Sequence, residues 1–150
     1  MPWFRKLNRW SLPASFLCTL LVVDKEAIVN VTLFSFGFKH GYPQADLVWD
    51  VRFLPNPHWV PELKAHTGRE PQVARYVLEN ESATRFLALL KPLLIFLFDE
   101  YTAQGREAVT LAVGCTGGKH RSVALIEHLR AFIQNRNVTL QVYHRDIEKE

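Results

Sequence analysis

The stretch that decides the fold is Gly114-Cys115-Thr116-Gly117-Gly118-Lys119-His120-Arg121-Ser122. It follows an apolar run at residues 109–113, which predicts a buried strand, and it precedes an amphipathic segment at 122–136, which predicts a helix. A glycine-rich turn between a strand and a helix directs backbone N–H groups and the positive end of the helix dipole toward one point. The stretch therefore predicts a site for a phosphate, a sulfate or a carboxylate.

The rest of the chain indicates one α/β domain. In chain order the patterns predict strands at 27–38 and 47–53, a loop at 55–61, helices at 71–79 and 83–103, and a last strand at 138–143. With the central strand and helix, the order β-β-α-α-β-α-β predicts a single layered domain, which we expect to hold a mixed sheet flanked by helices. Ligand-binding loops are expected at one edge of that sheet.

The longest predicted helix carries several distinct signals. Ser82 is expected to cap its start and Gly105 to end it. Pro92 is expected to kink or split it. Residues 86–98 are apolar on nearly every face, so we expect this helix to be buried on most sides or to form an oligomer contact.

Charge and cysteine content narrow the class of protein. The chain has 150 residues with 18 basic and 15 acidic side chains. Three of the basic residues, Arg5, Lys6 and Arg9, precede residue 10, so the remaining 15 and 15 cancel. Global charge therefore gives little support for nucleic-acid binding, which would need a local patch. The only cysteines are Cys18 and Cys115, so neither a disulfide framework nor a zinc site is expected. We therefore expect a cytoplasmic protein.

We expect the N-terminal 26 residues to form an extension of uncertain order before a domain at residues 27–150. Their apolar run at 12–23 is shorter than the ~20 residues of a membrane-spanning helix. The run resembles the core of a signal peptide, but no small-residue cleavage site follows it. We therefore expect a poorly ordered extension or a first strand, and no membrane association.

Two catalytic interpretations of the glycine turn can be weighed directly. A nucleotide-binding P-loop requires Ser or Thr after Gly-Lys and an earlier glycine, but His120 and Val113 occupy those positions. A cysteine phosphatase would use Cys115 as its thiolate and Arg121 as its phosphate ligand in a C-x5-R-S loop. Those enzymes usually carry a histidine where this chain has Gly114, and Asp50 is the one obvious acid. Cys115 could instead be a small apolar residue packed under the turn.

A third interpretation is an anion-binding sensor without chemistry. Four stretches together resemble the C-terminal domain of the RNase adapter protein RapZ family: residues 35–41, 50–59 and 114–122, and His144-Arg145. The resemblance spans roughly residues 31 to 145 in unbroken order. It implies a phosphofructokinase-type subdomain that self-associates, binds glucosamine-6-phosphate in the regulation of amino sugar metabolism, and presents small RNAs to RNase E for decay.

Carried over position by position, the resemblance implies no catalytic residue, cofactor or metal. It implies a sugar-phosphate pocket made of Asp50, Arg52, His58, Cys115, Thr116, Gly117, Gly118, His120 and Arg121. It implies RNA contacts from Lys39, His58, Lys119 and Arg121.

Each of these residues also has a plainer interpretation. Asp50 and Arg52 could form only a structural ion pair, and His58 could only cap the proline loop. His120 could face solvent, and Lys39 could belong to an ordinary solvated loop.

The sequence also departs from the family in two respects. RapZ proteins carry an N-terminal P-loop domain, to which nothing here corresponds, so a free-standing domain is expected. RapZ also ends in a run of basic residues, whereas this chain ends Glu148-Lys149-Glu150, which counts against RNA binding. Our hypothesis is a non-catalytic sensor of an amino-sugar phosphate, with small RNA as a further partner and the phosphatase as the alternative.

Overall fold

A computed structural model describes residues 29–149 of the chain. Its strands are β1 (Asn30–Gly37), β2 (Leu47–Asp50), β3 (Ala108–Cys115) and β4 (Thr139–His144). Its helices are α1 (Pro61–Lys64), α2 (Pro71–Leu78), α3 (Glu81–Ala103) and α4 (Arg121–Ile133), with 3-10 turns at Phe38–His40 and Pro57–Trp59. The expectations for the N-terminal extension and its apolar run lie outside the described residues.

The four strands form one sheet in the order β2-β3-β1-β4, and every pairing is parallel. The predicted α/β class is confirmed, but the expectation of a mixed sheet is wrong. β2 pairs with β3 rather than with β1, so the first two strands form no hairpin. The segments that join β2 to β3 and β3 to β4 contain helices, which return the chain to the edge where each strand begins.

Side chains of each strand alternate between two apolar layers. One layer joins residues such as Leu33 and Leu111 to the buried faces of the long helices and forms the main core. The opposite layer is smaller, with Phe34, Phe36 and Ala112 at its centre. The main core thus holds the sheet against the helices and fixes where the strands end.

Helix α3 differs from the prediction at its start and its middle. Asn80, not Ser82, is the N-cap, since its Oδ1 accepts the Ala83 N–H at 3.0 Å while Ser82 already lies within the first turn. Pro92 does not split the helix, which runs unbroken for 23 residues. The carbonyl of Ala88, which Pro92 cannot pair, lies on the exposed side, where water can hydrogen-bond it. Gly105 follows the C-terminus as predicted, with φ +68°.

One side of α3 is not buried by the described residues. The buried residues repeat at helical spacing and are Ala83, Leu87, Leu90, Leu94 and Phe98. Leu89, Leu93 and Phe96 are exposed on another side. Burial on most sides is therefore wrong, whereas the oligomer contact stays a prediction. Within residues 29–149, no helix has both the length and the apolar character needed to cross a membrane.

The loops around the glycine turn contain more helical structure than expected. Pro57 and Pro61 each occupy the first turn of a short helical segment, a position where the missing N–H costs nothing. β2 ends at Asp50, so Arg52 lies in a turn rather than in a strand. β3 continues to Cys115, so the turn begins at Thr116, two residues later than expected.

Candidate anion-binding site

The glycine turn lies at the carboxyl edge of the sheet. Because all four strands are parallel, the segments that follow each of them meet at this edge. The turn that follows β3 is bonded to its neighbours on both sides: the Lys39 N–H donates to Thr116 O at 3.1 Å, and the Gly68 N–H donates to Lys119 O at 2.9 Å. The backbone of the turn is therefore held by contacts from several loops.

Close approach between backbone segments explains why glycine stands at positions 37 and 118. Gly118 has φ +76°, a conformation that side chains disfavour. A Cβ on Gly118 would lie 2.6 Å from the nitrogen of Gly37, and a Cβ on Gly37 would lie 2.6 Å from the carbonyl carbon of Gly117. The ends of β1 and of the glycine turn thus approach each other more closely than any side chain permits.

Arg121 joins the turn to the loop that follows β2. It is 6 % exposed. Its Nη1 donates to Arg52 O at 2.7 Å and to Leu54 O at 3.4 Å, and its Nη2 donates to Thr116 Oγ1 at 3.2 Å. Its Nε–H and one Nη2 hydrogen have no partner among the described residues. Arg121 therefore joins the glycine turn to the loop after β2 and still has N–H donors available for a ligand.

Cys115 lies beneath the turn. Its Sγ accepts the Gly118 N–H at 3.3 Å and lies 3.2 Å from Ser122 Oγ. The residue is 3 % exposed. Its surroundings fit the interpretation of a small side chain packed under the turn, and they also contain the polar partners that a thiolate would need.

The turn opens into a cavity of about 550 Å³. The lining combines lysines, histidines and backbone of the turn, and consists of Lys39, Asn56, His58, Trp59, Lys64, Cys115, Thr116, Gly117, Lys119, His120, Arg121 and Lys149. None of these residues is an aspartate or a glutamate. Cationic groups therefore surround a space of the size that small-molecule ligands occupy.

Most, but not all, of the predicted site residues line this cavity. The predicted residues in the lining are His58, Cys115, Thr116, Gly117, His120, Arg121, Lys39 and Lys119. Gly118 is absent from it and contributes backbone shape instead. Asp50 and Arg52 are also absent and form an exposed ion pair of 2.6 Å. Hydrogen bonding from Arg52 lowers the pKa of Asp50, and the guanidinium lies 4.4 Å from the centre of the Phe38 ring.

His120 has a structural contact within the cavity wall. Its Nε2 lies 3.1 Å from the carbonyl oxygen of Lys64. Burial lowers the pKa of His120, and the positive charges of Lys119 and His58 act in the same direction. A neutral imidazole with its Nε2–H directed at Lys64 O agrees with this geometry. His120 therefore positions α1 against the turn and does not simply face solvent.

Four lining residues were missed by the sequence reasoning: Asn56, Trp59, Lys64 and Lys149. Trp59 carried a signal, since a large aromatic side chain stood between prolines in a segment with no apolar periodicity. Lys149 carried none, because it lies in a polar tail that the fold returns to the carboxyl edge.

Asp146 is the residue that returns this tail to the site. It is fully buried, accepts the Gly37 N–H at 2.8 Å, and pairs with Arg145 and Lys149, each at 2.7 Å. Burial by itself would raise the pKa of this carboxyl, but the bonds from Arg145, Gly37 and Lys149 outweigh it and lower the pKa to about 2. Asp146 thus anchors the C-terminal segment beside the glycine turn.

A second polar chain connects the interior of the sheet to α4. The Ser35 hydroxyl lies 2.7 Å from His144 Nδ1, and His144 Nε2 lies 2.9 Å from Glu127 Oε1. The hydrogen-bonded order of serine, histidine and glutamate resembles a hydrolase triad. Ser35, however, is fully buried, so no substrate can reach it. We interpret this chain as a structural network.

Fold and site together define a parallel α/β domain with a cationic cavity at the carboxyl ends of its strands. Comparison with known families identifies it more closely: residues 29–148 match the RapZ C-terminal domain, and the chain belongs to that family. The resemblance drawn from the sequence motifs is confirmed.

Proteins from several bacteria are similar over most of this chain. A protein of Caldicellulosiruptor bescii is 48 % identical over 128 residues, which cover 85 % of this chain and 44 % of the relative. Proteins of Anaeromyxobacter sp. (strain K) and Mycobacteroides abscessus are each 51 % identical, over 86 % and 85 % of this chain. All three are called nucleotide-binding proteins. The chain spans less than half the length of these relatives.

Proposed function

We propose that this domain is a regulatory sensor that binds a phosphorylated amino sugar, such as glucosamine-6-phosphate, in the cavity beside the glycine turn. The observation that carries the proposal is the composition of the cavity wall: cationic side chains and turn backbone surround it without a carboxylate. An anion in this cavity would meet attractive charges from several directions.

The phosphate group is assigned to the turn rather than to the outer lysines. Arg121 retains N–H donors in a nearly buried position, where a charge-assisted hydrogen bond is stronger than in water. The first N–H groups of α4 have no partner within the helix and lie beside it. A phosphate here would be held by positioned donors, and the sugar would extend toward Trp59 and His58.

Calorimetric titration tests the proposal. The native protein is expected to bind glucosamine-6-phosphate with micromolar affinity and to bind inorganic phosphate and glucosamine much more weakly. Lys119→Ala should weaken binding, whereas Arg75→Ala, which removes an exposed cation outside the cavity, should not. A nucleoside diphosphate is a useful further ligand, since the relatives are called nucleotide-binding proteins. Equal, weak binding of all phosphates would contradict amino-sugar selectivity.

RNA is a second partner that the cavity's rim favours. Lys39, Lys64 and Lys149 are exposed there, and Lys149 adds a cation from the end of the chain that had counted against RNA. Binding of a short single-stranded RNA should weaken steeply with salt because phosphate contacts release counterions. Lys39→Ala should lower the slope of log K against log salt by about 1. RNA binding that does not depend on salt concentration would contradict this role. So would an equal change in the slope of log K against log salt for Arg75→Ala.

The phosphatase alternative rests on one observation, the polar contacts of Cys115 Sγ with Gly118 and Ser122. Against it, the sulfur is nearly inaccessible, and a Cβ at Gly114 would lie 2.4 Å from the Phe36 ring, which explains why no histidine precedes the cysteine. Turnover of an aryl phosphate separates the two functions. The sensor predicts no turnover; turnover that Cys115→Ser abolishes would establish the enzyme.

A further inference from the structure

Trp59 is unusually exposed for its residue type. The residue is 78 % exposed, more than any other described large apolar residue. Tryptophan ordinarily buries most of its surface, and exposed examples are enriched at binding sites. Trp59 lines the cationic cavity, so its exposed surface faces the space that the proposed ligand would occupy.

The backbone that carries Trp59 is held in place. Asn56 caps the short 3-10 turn by accepting the His58 N–H at 3.3 Å through its side chain, and Asn56 O accepts the Trp59 N–H at 3.2 Å. Pro57 in the same turn is buried. The His58 ring meets the Trp59 ring edge to face, with centroids 5.2 Å apart and an interplanar angle of 82°. The indole is therefore presented on a rigid turn.

The charges of the cavity leave the amine of an amino sugar without an obvious partner. The lining contains no carboxylate, and Asp50, which the family resemblance placed in the sugar-phosphate pocket, lies outside the lining and is paired with Arg52. An ammonium group in this space would otherwise face lysines. The indole face attracts a cation through the ring quadrupole, and its apolar surface can pack against the C–H face of a sugar ring.

We propose that Trp59 is a specificity-determining residue that stacks on the sugar ring and accepts its ammonium group by a cation–π contact. The inference rests on the proposed function, because it concerns the same cavity. Phosphate binding is assigned to the turn and Arg121, and recognition of the amino sugar is assigned to Trp59.

The test is calorimetric titration of native protein, Trp59→Ala and Trp59→Phe with three ligands: glucosamine-6-phosphate, glucose-6-phosphate and inorganic phosphate. Trp59→Ala should lower the affinity for glucosamine-6-phosphate by about fivefold or more, because a cation–π contact is lost. The same substitution should lower the affinity for glucose-6-phosphate less and leave the affinity for inorganic phosphate unchanged. Trp59→Phe should recover most of the affinity. Tyr76→Ala, an exposed aromatic on α2 outside the cavity, is the matched control.

The outcomes separate this inference from the proposed function. If the native protein binds both sugar phosphates and Trp59→Ala binds them equally well, Trp59 is not a specificity residue and the sensor proposal stands. Equal losses for all three ligands, with a lowered unfolding temperature, would show that Trp59 only supports the cavity and would overturn the inference. If the native protein binds no sugar phosphate, the proposed function fails and the inference with it.

Discussion

At the scale of single residues, Asp146 links the end of β1 to the C-terminal segment through a buried carboxylate. Its pKa in the folded protein is about 2, below the ordinary 3.8. The carboxylate therefore contributes stability that is complete above the ordinary pKa and is lost as the pH falls from about 4 toward 2. A shift of this size corresponds to about 2 kcal/mol.

Asp146→Asn should lower the free energy of unfolding at pH 7 by about 2 kcal/mol or more, since Arg145 and Lys149 lose a buried partner. Urea unfolding followed by circular dichroism would measure this loss and its decrease toward pH 2. Glu148→Gln, which removes an exposed carboxylate two residues along the chain, is the control and should change little. Equal effects of the two substitutions would refute the anchoring role.

Two glycines allow the free-energy cost of steric crowding to be separated from the cost of backbone strain. Gly118 and Gly105 both have positive φ, but only Gly118 has backbone within 3 Å of an added Cβ, whereas Gly105 has open space. Gly105→Ala should cost about 1 kcal/mol from backbone strain alone. Gly118→Ala should cost that amount and a further 1–3 kcal/mol from overpacking against Gly37 (about 2–4 in all). Chemical denaturation measures both; equal costs would contradict the close approach.

At the scale of elements, the start of α3 shows where sequence reasoning reached its limit. The helix itself was predictable from its long apolar segment between a capping residue and Gly105, but both Asn80 and Ser82 are good caps, and the choice depends on which of them the preceding loop holds in an extended conformation. Asn80→Ala should lower the free energy of unfolding by about 1 kcal/mol, and Ser82→Ala should change it by less than about 0.5 kcal/mol. A larger effect at Ser82 would reverse the assignment.

The same limit applies to the loops of the site. The strand, turn and helix at 108–133 could be predicted because their pattern is local. The placement of Asp50 and Arg52 could not, because β2 ends at Asp50 and the two residues form an ion pair that does not line the cavity. The contribution of Lys149 depended on Asp146 folding the tail back, which is a long-range contact that no local pattern encodes.

At the scale of the whole molecule, three buried or partly buried histidines predict how stability depends on pH. Burial lowers the pKa values of His120, His128 and His144 below 6.5. The unfolded chain therefore binds more protons than the folded protein as the pH falls below 6.5, and stability should decrease from pH 7.5 to pH 5.5. Urea midpoints at the two pH values would measure the decrease. A midpoint that rises toward pH 5.5 would contradict the lowered pKa values.

The global topology was predictable only in part. The alternation of strands and helices indicated an α/β domain, but the strand order β2-β3-β1-β4 and its parallel sense are set by contacts between distant segments. The parallel sense is what gathers four loop regions at one edge. The position of the site was therefore implied by the glycine turn, whereas the contributions of Lys64 and Lys149 to its charge emerged only from the fold.

The most direct test of the central claim is to map where glucosamine-6-phosphate binds, using backbone amide and indole NMR shifts during titration of the native protein. The largest shifts are expected in the glycine turn at residues 116–121 and at the Trp59 indole. A second cavity, with a volume of about 490 Å³ and a lining that includes Arg69, Glu127 and Arg130, provides an internal control. Shifts concentrated in that second cavity, or no shifts in the glycine turn, would show that the sugar phosphate does not bind beside the turn.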